Sequence, residues 1–414
     1  MMKAILVIGD GMADRPLREL GGRTPLEAAH KLSLNQIAKT GICGIMDIIS
    51  PGVIPGSDTA TLALLGYDAL EVYTGRGAFE AVGSGIDVSP RDVAFRCNFA
   101  TVDDDLVVLD RRAGRIVNED ASKLAQSLQK IKLEKHPKVD FLFKNTIQHR
   151  AALVIRKPRP SSAVSDSDPG KIGEKVLKIK PLDSSQKAEL TTKILRELTL
   201  KFHKVLKQHP INKMRVERGL PPANIILCRG AGTIPNIKPL PEKYGLTSAC
   251  VAASSLIRGV CKVAGMKLID VKGATGTPQT DFMAKAKATI KTLKTNDFVL
   301  LHVKATDVAG HDGNIKQKIE LIEKIDAMLD YILNNIDSDL TYMAVTADHT
   351  TSSNTKNHEG DSVPIAVTGP YVRRDDVKQY DERTCAKGGL NRIRGMDIMP
   401  ILINLIGKAK KFGA

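Results

Sequence analysis

The chain has 414 residues, 42% hydrophobic and 26% charged, enough apolar material for a large core and the charge load of an ordinary globular protein of two or three domains. No run of 18 apolar residues occurs, so no membrane-spanning helix is expected, and six cysteines without a CxxC pair exclude a zinc finger or a small disulfide framework and read as buried thiols. The net charge is +15, but only 4% of residues are aromatic and Trp is absent, so base-stacking surface is scarce and no nucleic-acid partner is expected.

In chain order, residues 4–8 (AILVI) form the first apolar run and lead into Gly9-Asp10-Gly11. The run resembles a signal-peptide core but lacks a cleavage site; it reads as a core strand, and the protein is expected to be cytoplasmic. A helix is predicted around residues 34–39, and Pro55-Gly56-Ser57-Asp58-Thr59 reads as a tight turn opening another. Glycines 75, 77, 83 and 85 follow and are expected to form a hinge. Residues 101–115 (TVDDDLVVLDRRAGR) predict a hairpin turning at 103–105, residues 141–144 and 151–155 predict strands, and 161–173 is a polar loop. Residues 184–208 predict a lysine-rich amphipathic helix, and Gly219-Leu220-Pro221-Pro222 a second hinge. Between Arg76 and Arg229 there are 30 Lys+Arg against 18 Asp+Glu, so most of the excess charge lies here. Two further apolar runs, 298–301 and 342–346, flank a predicted helix over 315–335, whose stripe is Ile319, Ile322, Ile325, Met328, Leu329 and Ile332.

Short apolar runs alternating with helices predict an α/β fold with a mainly parallel sheet sandwiched by helices. The middle predicts a smaller inserted α+β domain. The core would comprise residues 1–75 and 230–414, and the insert residues 76–229.

Ligand-type residues fall at the ends of the predicted core strands, where α/β folds bind ligands. Asp10 ends the first. His302 and Asp307 follow the second, with His311 four residues beyond Asp307, on the same face if a helical turn starts there. Asp348 and His349 end the third, and His358 comes soon after. Carboxylate and imidazole together suit Mn, Zn or Fe, with Mg admitted where carboxylates dominate. Taken alone, Ser57 reads as a helix cap. Beside such a cluster the same helix N-terminus offers N–H groups and a positive dipole end to a phosphate, and Ser57 reads as a nucleophile.

The sequence resembles the archaeal-type cofactor-independent phosphoglycerate mutases of the alkaline phosphatase superfamily. The segments that carry the resemblance are GDGMAD (9–14), PGSDTATLALLGYD (55–68), TGRGAFEAVGSGI (74–86), VAFRCNFATV (93–102), LDRRAGRI (109–116), EKYGL (242–246), HVKATDVAGHDG (302–313), TADHTT (346–351) and His358 with Asp361, Val363 and Pro364. The resemblance implies an alkaline-phosphatase-like fold and two divalent metal ions, with Mn, Zn, Mg and Co all admitted. Asp10, Ser57, Asp348 and His349 would hold one ion, and Asp307, His311 and His358 the other. Ser57 would carry the phosphoryl group between 3-phosphoglycerate and 2-phosphoglycerate, a step of glycolysis and gluconeogenesis. Arg96, Asn98, Arg112, Arg115 and Arg150 of the insert, with Lys243, would bind the small-molecule substrate. Asp168 would handle protons, although the family's DPH reads Asp168-Pro169-Gly170 here. The insert is expected to close over the site and exclude water while free glycerate reorients. The alternative is a phosphatase or phosphonate hydrolase on the same metal core.

Overall fold

The computed structural model describes residues 1–413. Contacts divide the chain into two compact units, Met1–Tyr73 with Ile237–Ala414, and Thr74–Asn236. Among the described residues fifteen strands are numbered in chain order: β1 Lys3–Gly9, β2 Gly41–Asp47, β3 Val93–Val102, β4 Val108–Asp110, β5 Asp140–Ile147, β6 Arg150–Lys157, β7 Ile225–Gly232, β8 Ser248–Val251, β9 Lys267–Ile269, β10 Phe298–Val303, β11 Thr341–Thr346, β12 Thr350–Ser352, β13 Asn357–Glu359, β14 Val363–Thr368 and β15 Asn391–Arg394. Among the described residues no helix is long and apolar enough to cross a membrane.

The first unit is built on an eight-stranded sheet in the order β15-β2-β14-β11-β1-β10-β8-β9. β1 pairs in parallel with both β10 and β11, β8 continues the parallel set beyond β10, and only β14 runs antiparallel to its neighbours. Every residue of β10 and β11 is buried, as the unbroken apolar runs require of strands covered on both faces. The three central strands end side by side, so Asp10, the segment after Val303 and Asp348 emerge at one edge.

The helix predicted over 315–335 is Ile315–Leu333, and its buried stripe keeps Ile322, Ile325, Met328, Leu329 and Ile332. Ile319 is only partly buried, and Lys318 is fully buried instead. Its ammonium donates to Asp14 Oδ2 (2.8 Å) and to the carbonyls of Ala13 and Thr351, which satisfies the charge that burial would otherwise make costly.

The second unit holds an antiparallel sheet in the order β4-β3-β6-β5, with β7 on the other edge of β3. The hairpin at 101–115 turns at Asp103, whose carboxylate accepts from the amides of Asp105 and Val107. Its second strand stops at Asp110, and Ala113–Arg115 is a 3-10 turn rather than strand. The lysine-rich helix is Gln186–Gln208, capped by the Ser185 hydroxyl. Along β3 the side chains alternate. Val93, Phe95, Cys97 and Phe99 enter the apolar core with Leu124, Leu128, Leu195 and Phe202, so Arg96 and Asn98 take the opposite face. All six cysteines are free and buried.

Gly75 and Gly77 are close-packing positions rather than loose joints. A Cβ on Gly75 would collide with the Ala231 carbonyl, and one on Gly77 with the Ala94 carbonyl. Gly219 lies inside the second unit, in the turn between the helix Pro210–Glu217 and β7.

Candidate active site

Among the described residues, two groups of ligand-type side chains form in the first unit. Asp10, Asp348 and His349 make one, all buried, and Asp307, His311 and His358 the other; within each group the ligand atoms lie within 4.8 Å of one another. The first group is set by parallel strand ends: Asp10 follows β1, Asp348 follows β11, and the Gly11 amide donates to Asp348 Oδ1 (3.0 Å). In the second, Asp307 and His311 share one face of the helix Ala305–Asp312, with His311 Nε2 at 3.3 Å from Asp307 Oδ1. His358 comes from the β12–β13 hairpin, and its Nε2 lies 3.3 Å from the same oxygen. The rings of His349 and His358 stack with centroids 3.7 Å apart, so the two groups touch.

Ser57 is the first residue of the helix Ser57–Leu64, and Gly56 occupies the cap position. The Gly56 amide donates to Thr59 Oγ1 (3.0 Å), which leaves the Ser57 hydroxyl free of capping. Ser57 Oγ instead lies 3.3 Å from His349 Nε2 and 3.2 Å from Lys304 Nζ. Lys304 was not singled out from the sequence. Its ammonium also reaches Asp10 Oδ1 (2.9 Å) and Asp307 Oδ2 (2.8 Å), joining both groups to the serine. His302, the penultimate residue of β10, brings Nε2 to 2.9 Å from Asp10 Oδ2, off the line a hydrogen bond needs.

The electrostatics follow from this crowding. Burial pushes the Asp348 carboxyl well above the usual range, and the neighbouring Asp10 pushes it further. Burial works the same way on Asp307, but Lys304 and the surrounding histidines overcome it and hold Asp307 well below the usual range. Lys304 is raised, because Asp10, Asp307 and Asp348 outweigh its own burial. Burial lowers His349 to about 3, which leaves a neutral imidazole. Asp10 Oδ2 and Asp348 Oδ2 are buried without a hydrogen-bond partner. Crowded carboxylates with orphaned oxygens, faced by a neutral imidazole, are the donor set that a divalent cation satisfies, so these residues fit metal ions.

In the second unit, Asp168 is gripped bidentately by Arg111, with Nε to Oδ1 at 3.1 Å and Nη2 to Oδ2 at 2.8 Å; Arg229 Nε lies 3.8 Å away. The position of Asp168 is set by Ser167, which exchanges two 2.8 Å hydrogen bonds with the Cys228 backbone on β7. Burial tends to raise the Asp168 carboxyl, but the Arg111 hydrogen bonds prevail and lower it. Arg76 and Arg96 share Glu80, at 3.2 and 3.4 Å, and burial lowers Arg96 to about 9. Arg96 Nε, Asn98 Oδ1 and His149 Nδ1 are buried and unpartnered. Arg112 and Arg150 lower the His149 imidazole further after burial has done most of the work, to about 4.

The structure thus brings Arg96, Asn98 and Asp168 onto a polar, arginine-rich sheet face, with Arg112 and Arg150 exposed near His149. Arg115 is exposed with φ 53°. Lys243 belongs to the first unit, where its ammonium donates to the Gly66 carbonyl and sits 4.3 Å over the Tyr67 ring. Arg111 and Arg229 escaped the sequence reading. Arg111 adjoins Arg112 in LDRRAGR, and only the end of β4 at Asp110 decides which of the two guanidinium groups reaches Asp168.

Residues 38–212 match the family model described as 2,3-bisphosphoglycerate-independent phosphoglycerate mutase. A protein of that name from Methanococcus vannielii is 52% identical, with 100% of both chains covered. One from Methanocaldococcus jannaschii is 49% identical over 100% of this chain and 99% of its own. A solved structure from Pyrococcus horikoshii superposes with a TM-score of 0.87 at 39% identity, covering 100% of this chain and 99% of that one. A cofactor-independent phosphoglycerate mutase from Thermoplasma acidophilum gives 0.71 at 37% identity, covering 98% of this chain and 100% of its own.

Proposed function

Because the chain belongs to the 2,3-bisphosphoglycerate-independent phosphoglycerate mutases, which interconvert 3-phosphoglycerate and 2-phosphoglycerate, we propose that the phosphoryl group passes through Ser57. The observation that supports this reading most is the placement of Ser57 Oγ, with Lys304 and His349 both within 3.3 Å.

Ser57 Oγ attacks the substrate phosphorus in line. The bond to the glycerate oxygen breaks as the serine–phosphorus bond forms, and the leaving oxygen takes up the proton that the serine hydroxyl gives up. Glycerate then turns, its other hydroxyl takes the phosphoryl group back from Ser57, and the proton of that hydroxyl passes to the freed serine oxygen. Lys304 faces the serine oxygen throughout and counters its negative charge. Two divalent ions, of Mn, Zn, Mg or Co, would be held by Asp10, Ser57, Asp348 and His349 and by Asp307, His311 and His358. When bound, they supply charge neutralisation for the phosphoryl oxygens and lower the pKa of the serine hydroxyl.

The second unit is assigned the grip on the substrate's charged groups. Arg96, Asn98, Arg229, Arg112 and Arg150 are its candidates, since arginine forks suit carboxylate and phosphate. Asp168 takes a different role from proton handling here. It is held ionised by Arg111 and stands beside Arg229, so it orients guanidinium groups.

The test is to incubate the protein with 3-phosphoglycerate, quench it, and map phosphorylated peptides by mass spectrometry. Phosphate is expected on Ser57, and Ser57→Ala is expected to lose at least ~10³-fold in kcat while retaining its circular dichroism spectrum. Phosphate on another side chain, or turnover by Ser57→Ala near the wild-type rate, would reject the nucleophile.

A further inference from the structure

Thr351 stands between the two ligand groups. It is the middle residue of β12, directly opposite His358 on β13. Its Oγ1 lies 2.8 Å from Asp307 Oδ1 and 3.0 Å from His349 Nδ1, one neighbour from each group. Its backbone is pinned on both sides: the amide donates to the Ala13 carbonyl (3.2 Å), and the carbonyl accepts from buried Lys318 Nζ (2.7 Å). Its methyl rests against Gly310, where an added Cβ would come within 2.8 Å of it. Gly11, at φ 60°, leaves the space the hydroxyl occupies, since a Cβ there would collide with Oγ1. The side chain is fully buried and its rotamer is fixed from all sides.

A hydroxyl has one proton to give. An ionised carboxylate only accepts, so that proton goes to Asp307. His349 Nδ1 must then carry its own hydrogen and donate to Oγ1. The lone pair of His349 is thereby left on Nε2, which lies 3.4 Å from both Asp10 Oδ1 and Asp348 Oδ2 and 3.3 Å from Ser57 Oγ. Groups that orient metal ligands in this way set both ring direction and tautomer.

We propose that Thr351 is a positioning residue for both metal groups at once, its single hydroxyl fixing the His349 ring and the Asp307 carboxylate in one geometry. The proposal rests on reading the two groups as metal sites. It makes a specific demand: one substitution must weaken both ions, because each group loses an oriented ligand.

The experiment is calorimetric titration of Mn²⁺ into the metal-free full chain. Wild type is expected to take up two ions. Thr351→Val keeps the shape and removes the hydroxyl, and both association constants are expected to fall ~10–100-fold. Thr351→Ser restores the hydroxyl and is expected within about threefold of wild type at both sites. Circular dichroism checks the fold. Should Thr351→Val fail to fold, Thr351→Ala removes the same hydroxyl without placing a methyl against Asp307, and the same paired loss is expected. Weakening at only one site, or at neither, overturns the proposal, as does failure of serine to rescue. A wild-type protein that takes up no Mn²⁺ defeats the metal reading itself, and Thr351's role with it.

Discussion

Lys304 puts a permanent positive charge among three acceptors, and that makes its role separable from that of the metal ligands. Its ammonium lies within 3.2 Å of Asp10, Asp307 and Ser57. If it counters charge on the serine oxygen, Lys304→Met loses a preorganised electrostatic contact, and kcat is expected to fall ~10²–10³-fold. The same change removes a cation that repels incoming ions, so divalent affinity is expected to hold or tighten. A variant whose lost activity is restored by raising the metal concentration would show that Lys304 acts only through the metal sites. The residue was visible in HVKATD, but a lysine after a strand reads as a solvated cation until burial among carboxylates is known. Ser57 was legible for a related reason in reverse. Its turn was recognisable, while its release from capping depends on Gly56 and Thr59 taking that work.

At the scale of elements, legibility followed apolar continuity. β1, β10 and β11 are unbroken runs because both of their faces are buried, so they could be placed from sequence. β2 (GICGIMD) and the end of β7 (CRGAG) are broken by glycines that make room for neighbouring backbone, and no periodicity announces them. β12 and β13 are three residues each and polar, so no apolar pattern marks them. The same glycine packing supplies a prediction for the second unit. The helix Arg76–Gly83 lies on β3 and β7 with Gly77 against the Ala94 carbonyl, backbone to backbone, so the contact has no flexible side chain to yield. Gly77→Ala must lift the helix, and with it the Glu80 carboxylate that Arg76 and Arg96 share. A net loss of about 1–2 kcal/mol in urea unfolding is expected, the overpacking outweighing alanine's better helix propensity. A gain in stability would mean the helix is free to shift.

For the whole molecule, buried ionisable groups set opposite pH trends, and their balance can be taken apart. Burial lowers His349 to about 3 and His149 to about 4, and lowers His302 as well. These rings stay neutral when folded, whereas an unfolded histidine takes a proton near pH 6.5, so they make the fold more stable as pH rises toward 6.5. Glu382 pulls the other way. Burial raises its carboxyl to about 7, against hydrogen bonds from Thr24 Oγ1 (2.7 Å) and the Asp14 amide (3.0 Å) and the attraction of Lys318. Lys31 also lies within its field. Between about pH 4.5 and 7 the folded state holds this proton and the unfolded state does not, so its contribution is present at low pH and lost as pH rises through 7. Glu382→Gln mimics the protonated form: its carbonyl can accept from the Asp14 amide, and its NH₂ can donate to the Thr24 hydroxyl. Relative to wild type, the variant is expected to gain up to roughly 3 kcal/mol between pH 5 and 8, the equivalent of the shift in Glu382. Thermal melts of both proteins across that range provide the measurement, and the difference between them cancels the histidines. A difference that stays flat with pH would place Glu382 ionised in the fold, with Lys318 and Lys31 as its counter-charges.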